Sequence, residues 1–202
     1  MLLFNYSNIV DPLLSDIRDF IPNFAGMTAE NRVLDICCGT GEQVLRYGMN
    51  GIYAVGIDND SDMLNVAYNN RMKKQLTNVS FHLADATDLP FPDSYFDYSS
   101  ISFGLHDKEK GIRDRVIDEM KRVVKNDGSF ILIDFEVPLP RNMWGFVARI
   151  VEFFVGGDHY CGFKSYVKGG GLSVVLKEHN IKEVQKTVFA GGLIGVIKAT
   201  ND

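Results

Sequence analysis

The sequence predicts an α/β fold, a mostly parallel sheet with helices on its faces. Three observations predict it. Short apolar runs alternate with longer segments of helical period along most of the 202 residues, the pattern of right-handed strand–helix–strand units. Runs such as "FILIDF" (130–135) are near-continuously apolar, as strands covered on both faces are. A Gly-Thr-Gly turn (39–41) joins the first apolar run to the first helical one, at the carboxyl end of a strand, where open α/β sheets bind ligands.

The elements follow in order. "DPLLSDIRDFI" (11–21) predicts an N-terminal helix with Pro12 in its first turn, a position that needs no proline N–H. Strands are predicted at 32–37, 52–58, 79–85, 96–103 and 129–136, and helices near 42–48, 60–75 and 108–125. Asp58, Asn59, Asp60 and Ser61 offer several caps for the 60–75 helix. "KNDGS" (125–129) predicts a turn before the fifth strand. "RNMWGFVARIVEFFVGG" (141–157) carries apolar residues at 143, 144, 146, 147, 150, 151, 153 and 154, a wide stripe for a surface helix. The 143–155 stripe reads as core packing, as a lid over an apolar ligand, or as a membrane-surface contact, the last weakened by Arg149 being its one basic residue. "FKSYVKGGGLSVVLKEH" (163–179) reads as a loop plus a helix, and "EVQKTVFAGGLIGVIKA" (183–199) as a hairpin around a glycine-rich turn. The sum is seven strands, mostly parallel, with a C-terminal antiparallel hairpin strand. No repeat or low-complexity linker divides the chain, so the expectation is one domain, 1–202, with a helical insertion at about 140–180 on the ligand side.

Composition narrows the function classes. The net charge is −5, hydrophobic residues make up 46% and charged residues 23%, ordinary globular values. No Lys/Arg block offers a footprint for nucleic acid. No apolar run is long enough to span a membrane, and "MLLFNYSNIVD" lacks the basic region and apolar core of a signal peptide, so the expectation is a cytoplasmic protein. Cys37, Cys38 and Cys161 form no Cys-x-x-Cys pair, and no His/Asp spacing points to a metal. All three read as small buried filler in a reducing compartment.

The glycine turn asks for a ligand that approaches the backbone closely, at the positive end of a helix. Three acids accompany it. Asp35 lies in the first strand end, Asp58 closes the second apolar run and Asp85 closes the third. An acid at Asp58 can accept from two ribose hydroxyls, and Asp85 then falls where an adenine amine would lie. The rival reading is a dinucleotide. Its fingerprint wants a small residue three positions after Gly41, where this chain has Val44. A nucleoside with an amino-acid tail fits better.

On "VLDICCGTGE" (33–42), "VGIDNDSDML" (55–64), "LADATDLPFPDSYFD" (83–97) and "EMKRVVKNDGSFILID" (119–134), the chain resembles the class I S-adenosylmethionine-dependent methyltransferases over most of residues 30–136. "ISFGLHD" (101–107) and "FAGGLIGVIKA" (189–199) resemble the ubiquinone/menaquinone-biosynthesis C-methyltransferases within them. The resemblance implies a Rossmann-like sheet and S-adenosylmethionine as cofactor. It implies that Gly39, Gly41 and the backbone near Cys37 line the methionine moiety, and that Asp35 positions the turn and the methionine ammonium. Asp58 would hold the ribose, with Asn59 and Met63 against the adenine. Asp85 would accept from the adenine amine beside Ala86, and Ser102 and Phe103 would border the sulfonium and the acceptor. The family usually has Gly or Ala where Cys37 and Cys38 stand, and cysteine is small enough to keep the site.

Methyl transfer needs alignment and exclusion of water, and a phenol or enol acceptor also profits from a base. His106, just past the fourth strand, reads as a loop residue or a substrate-site residue. His159, in "GGDHYCGF", reads as a base in a lid beside Tyr160, with Asp158 to orient it or as a loop acid. His82 reads as structural and His179 as solvated at a helix end. The expected activity is methyl transfer to a small, fairly apolar phenol, quinol or lipid-like acceptor, without a nucleic-acid partner or stable membrane insertion. The oligomeric state is left open, a homodimer included. The other readings are a non-catalytic S-adenosylmethionine- or S-adenosylhomocysteine-binding regulator or partner subunit and, third, an NAD-dependent dehydrogenase.

Overall fold

The computed structural model describes residues 6–201, with side chains from residue 14 onward. Helix α1 (Tyr6–Ala25) leads into strand β1 (Arg32–Ile36), followed by α2 (Glu42–Met49), β2 (Tyr53–Asp58), α3 (Ser61–Lys74), β3 (Val79–Leu83), β4 (Phe96–Ser102), α4 (Lys110–Val123) and β5 (Val124–Phe135). Three helices then intervene, α5 (Met143–Val155), α6 (Gly157–Gly169) and α7 (Gly171–Glu178), before the hairpin of β6 (Ile181–Phe189) and β7 (Ile194–Asn201).

The seven strands form one sheet in the order β3-β2-β1-β4-β5-β7-β6. The β1–β5 pairs are parallel and β7 is antiparallel to both neighbours, as the sequence predicts. The order reverses between β1 and β4. Right-handed crossovers that run one way from β1 and the other way from β4 put their helices on opposite faces. Accordingly α2 contacts α1 and α3, while α6 contacts α4 and α7. Ile131 to Ile133 of β5 are buried on both faces. Helix α4 buries Val116, Ile117, Met120 and Val123, a spacing that returns to one side of a helix.

The structure corrects several boundaries. Helix α1 begins at Tyr6, so Pro12 stands past its first turn. Of the candidate caps, Asp60 accepts from the Asp62 and Met63 amides at 2.8 and 3.2 Å. The predicted turn at 125–129 lies within β5, yet pairing jumps from Phe96–Val124 to Tyr98–Ser129, so the polar residues loop out as a bulge. The segment 163–179, read as a loop plus a helix, is instead the end of α6 followed by α7. The apolar stripe of α5 is not core. Gly145, Ala148 and Glu152 face inward, whereas Met143, Phe146, Phe153 and Phe154 are 78%, 63%, 61% and 80% exposed.

Candidate active site

A cavity of about 220 Å³ opens where the strand order reverses, lined by Asp35, Cys37, Gly39, Gln43 and Phe103, with Ile17 and Arg18 of α1 alongside. The backbone around it is unusual. Cys37 and Phe103, at the ends of β1 and β4, sit at φ 56° and 54°, where side chains other than glycine are strained, and such strain collects at ligand sites. In the turn, Gly39 has φ +53° and a Cβ there would meet nothing within 4 Å, so its open side faces free space. Gly41 has the opposite constraint, since at φ +76° a Cβ would stand 2.5 Å from the Phe81 ring and 2.9 Å from Ala67. One glycine leaves the cradle bare and the other lets α2 close on the sheet. No side chain caps the first turn of α2, which leaves its positive end available to an anion.

Asp35 and Asp58 stand at the ends of β1 and β2, while β3 ends at Leu83, short of the predicted 85, so Asp85 follows it by two residues. Asp35 is 2% exposed and accepts from the Ser100 hydroxyl at 2.6 Å. Burial raises its pKa to about 7, opposed by the Ser100 bond and by Arg18. No described residue forms an ion pair with it, so the cavity presents an acid that a cationic group would satisfy. Asp58 accepts from the Gly39 amide at 2.7 Å and the Asp60 amide at 3.0 Å, which locks the carboxylate to the turn. A carboxylate has about four acceptor positions, so two remain for hydroxyl donors. Asp85 is exposed and accepts at Oδ1 from the Thr87 amide and hydroxyl, both at 2.8 Å. These bonds hold its pKa below the ordinary value, so it is an acceptor at neutral pH. Asn59 and Met63 are exposed after β2, Ala86 is buried after Asp85, and Ser102 sits beside Phe103 at the cavity edge. An amino-acid cation, a pair of hydroxyls and an amine donor all find matching groups here. S-adenosylmethionine therefore fits the residues present.

The cysteines depart from expectation. Cys37 and Cys38 are half-buried, and Cys161 is exposed in α6. Burial pushes the Cys37 thiol up to about 11 and raises Cys38 as well, so both remain neutral thiols. Cys38 packs against β2, where a Cβ on Gly56 would meet its sulfur at 2.8 Å.

A second polar cluster lies beside the cavity, with the His106 ring 6.0 Å from that of Phe103. His106 is 4% exposed. Its Nδ1 lies 2.7 Å from Asp134 Oδ1, and Asp134 Oδ2 accepts from the backbone amides of Leu105 and His106 at 3.3 and 3.1 Å. Burial lowers the His106 pKa, but Asp134 and Glu152 outweigh it, and the pKa lies above the ordinary value. Across the imidazole, Glu152 of α5 comes to 3.8 Å from His106 Nε2 and 3.1 Å from His159 Nδ1. His106 and His159 are thus brought together, with ring centroids 5.5 Å apart. Tyr160 belongs to a neighbouring aromatic group, with Phe153 at 5.6 Å and the Lys164 ammonium at 4.8 Å from its ring. The predicted partner Asp158 is exposed, and Glu152 partners His159 instead. His82 is exposed on β3, near the Ser80 hydroxyl. His179 is not free in solvent, since it pairs with Asp114 and Asp118 at 3.2 and 3.0 Å.

Sequence reasoning missed Asp134 and Glu152, and the reading that no His/Asp spacing points to a metal did not anticipate the grouping of His106, Glu152 and His159, whose ligand atoms lie within 4.8 Å of one another. Asp134 was findable as a further acid at a strand end. Glu152 carried a signal too, as the lone acid within "RIVEFFV". The lining roles of Gln43 and Arg18 left no signal, because they depend on how α1 and α2 pack.

Comparison with known proteins agrees with this geometry. Residues 33–128 match the family model described as a methyltransferase domain. An uncharacterized methyltransferase of Bacillus subtilis, YcgJ, is 36% identical over 113 residues, covering 54% of this chain and 43% of its own length. A ubiquinone/menaquinone biosynthesis C-methyltransferase, UbiE, of Pseudomonas paraeruginosa is 36% identical over 126 residues, covering 60% and 48%. The chain thus spans about half the length of the curated relatives it matches. Among solved structures, a SAM-dependent methyltransferase of Aquifex aeolicus superimposes with TM-score 0.69 at 19% identity, over 90% of this chain and 88% of that one, which shows a shared fold. Together with the strand-end acids and the glycine turn, the match identifies a methyltransferase domain over residues 33–128, where the chain is similar to S-adenosylmethionine-dependent methyltransferases, the ubiquinone/menaquinone-biosynthesis C-methyltransferases among them.

Proposed function

We propose that the chain transfers a methyl group from S-adenosylmethionine to a small, fairly apolar acceptor of the phenol, quinol or lipid-like class. Residues 1–202 would act as one methyltransferase domain in which α5–α7 form the acceptor side. The observation that carries this reading is Asp35, a buried acid without an ionic partner among the described residues, in a cavity at the switch point of the sheet. The bound cofactor supplies a methyl group already activated on a sulfonium.

The chain's task is to bind, align and keep water out. Asp35 answers the cofactor's ammonium, and the bare backbone at Gly39 lets the methionine moiety approach. Asp58 accepts from the ribose hydroxyls while its bonds to Gly39 and Asp60 hold the loop in register. Asp85 accepts from the adenine amine beside Ala86, and Asn59 and Met63 flank the ring. Ser102 and Phe103 border the reacting methyl, and the aromatic wall of Phe135, Tyr160 and Phe163 continues from Phe103 through His106. That wall suits an apolar acceptor, as does the exposed apolar face of α5. No helix among the described residues is long and apolar enough to cross a membrane. His106 is engaged by Asp134 at Nδ1, so as a base it would act through Nε2. The half-exposed His159 and the Tyr160 hydroxyl are the other candidate groups on this wall.

The test is calorimetric titration with S-adenosylhomocysteine, alongside Asp58→Ala and a radiolabelled transfer assay over phenols, quinols and unsaturated lipids. Micromolar binding, about −8 kcal/mol, that weakens at least tenfold in the variant is expected, with label moving to an apolar acceptor. No binding by the wild type would overturn the proposal. Tight binding with no transfer to any acceptor would favour the non-catalytic regulator.

A further inference from the structure

We infer that His106, Glu152 and His159 form a site for a divalent transition-metal ion, of the zinc, cobalt or iron(II) class, with Asp134 as the outer partner of His106. The inference stands on the cluster itself and needs no methyl transfer.

The orientation of α5 is the first sign. Hydrophobicity alone would turn Phe153 and Phe154 inward and leave the acid between Val151 and Phe153 in water. The helix does the reverse, with Glu152 2% exposed and Phe154 80% exposed. Burying a carboxylate is costly unless charge and hydrogen bonds compensate. Neither histidine supplies that compensation through a hydrogen bond. The 3.8 Å from Glu152 to His106 Nε2 is too long for one. At 3.1 Å from His159 Nδ1 the distance is suitable, yet Glu152 Oε2 and His159 Nδ1 are both buried and without a hydrogen-bond partner. Three Lewis-basic groups therefore converge on one point, within ion-pair distance but without a hydrogen bond among them.

A metal ion resolves the arrangement. Two ligand atoms of a tetrahedral zinc ion stand roughly 3.3 Å apart, from bond lengths near 2.0–2.1 Å. The separations of 3.8 Å from Glu152 Oε1 to His106 Nε2 and 3.1 Å from Glu152 Oε2 to His159 Nδ1, one at each carboxylate oxygen, lie on either side of that spacing, and one ligand atom from each of the three residues lies within 4.8 Å of the others. His159, in the first turn of α6, has a side chain 33% exposed and can turn to close the remaining gap. The second sign is Asp134. Its 2.7 Å contact to His106 Nδ1 assigns the proton to that nitrogen and leaves the Nε2 lone pair toward Glu152. A carboxylate behind a ligating imidazole is how proteins orient metal-bound histidines. Two imidazoles and one carboxylate suit zinc, cobalt or iron(II) and disfavour magnesium or calcium, which prefer oxygen ligands. Three protein ligands leave a fourth position open to water or to a heteroatom of a bound molecule.

The test uses the full chain, stripped with chelator and titrated with cobalt(II) without cofactor. One equivalent should bind and give the visible d–d bands of a low-symmetry, four- or five-coordinate ion, and zinc should displace it. Excess magnesium should not. Glu152→Gln and His159→Asn should each weaken binding at least 100-fold, and Asp134→Asn by about 10- to 100-fold. Thermal melting and S-adenosylhomocysteine binding check that each variant is folded. His159→Asn, at the partly exposed ligand, carries the inference if the buried variants do not fold. Absence of stoichiometric cobalt or zinc binding by folded wild type would overturn it, as would binding unchanged in both His159→Asn and Glu152→Gln. Because the readout is spectroscopic and cofactor-free, a failed methyl-transfer assay leaves this result unaffected, and a failed metal titration leaves the cofactor reading intact.

Discussion

Asp35 is held neutral up to about pH 7 by burial, against the pull of Ser100 and Arg18. An unfolded aspartate titrates near 3.9, so between about pH 4 and 7 the folded chain binds more protons than the unfolded one. Stability from this residue is therefore full at low pH and falls as pH rises through 7. Asp35→Asn keeps an acceptor for Ser100 and escapes that loss. The variant is expected to match the wild type near pH 4 and to exceed it at pH 8, by at most about 4 kcal/mol, in denaturant unfolding at both pH values. Its binding should move the other way. Wild-type affinity for S-adenosylhomocysteine should rise from pH 6 to 8 as the carboxylate forms, while Asp35→Asn should bind weakly and without that pH dependence in calorimetry. A flat wild-type profile would remove Asp35 from cation recognition. The acid itself was legible as a strand-end residue, but its neutrality was not, because desolvation depends on Ile17 and Tyr47 being buried around it.

At the scale of the element, β2 and α2 meet through a glycine. A Cβ on Gly56 would stand 2.8 Å from Cys38 Sγ, 2.8 Å from the Phe81 ring and 2.9 Å from Val44 Cγ2. Gly56→Ala should cost about 1–3 kcal/mol by overpacking. Adding Val44→Ala should recover part of that, and a thermodynamic cycle reads the coupling. Val44, which argued against a dinucleotide in the sequence, is fully buried in this contact. Helix α5 makes the contrasting case. Phe146→Ser and Phe154→Ser replace side chains that are 63% and 80% exposed, so each should alter unfolding free energy by no more than about 0.5 kcal/mol. A loss of several kcal/mol would mean that the stripe is core after all. Periodicity identified the helix and the width of its stripe. It could not say which side faces in, because that side is chosen by Gly145 packing against Pro140 and by Glu152 meeting two histidines.

At the scale of the whole molecule, ligand binding at the reversal of the sheet draws on β1, β4, α1 and α2 together. Occupancy should therefore stabilise the cooperative fold. At S-adenosylhomocysteine concentrations 100-fold above Kd the gain is about 2.7 kcal/mol, or roughly 5–11 °C in Tm for a domain of this size. Differential scanning calorimetry should show that shift in the wild type and a much smaller one in Asp58→Ala at the same concentration. An equal shift in both would place the ligand away from the strand-end acids. The antiparallel β7 was legible from its hairpin partner and glycine-rich turn, and the parallel strands from their alternation with helices.

The sequence by itself determined the α/β class, the seven strands, the glycine turn and the acids at or just past the ends of β1, β2 and β3. These are local consequences of period, of glycine's freedom at positive φ and of chain order. Tertiary structure alone decided that Glu152 points inward, that Asp134 holds His106, and that His106, Glu152 and His159 share one point. Those residues are up to 53 positions apart and come from a loop, a strand and two helices whose packing is set by contacts of low sequence signal. Convergence of that kind belongs to the folded arrangement of the elements and is absent from any single stretch of the chain.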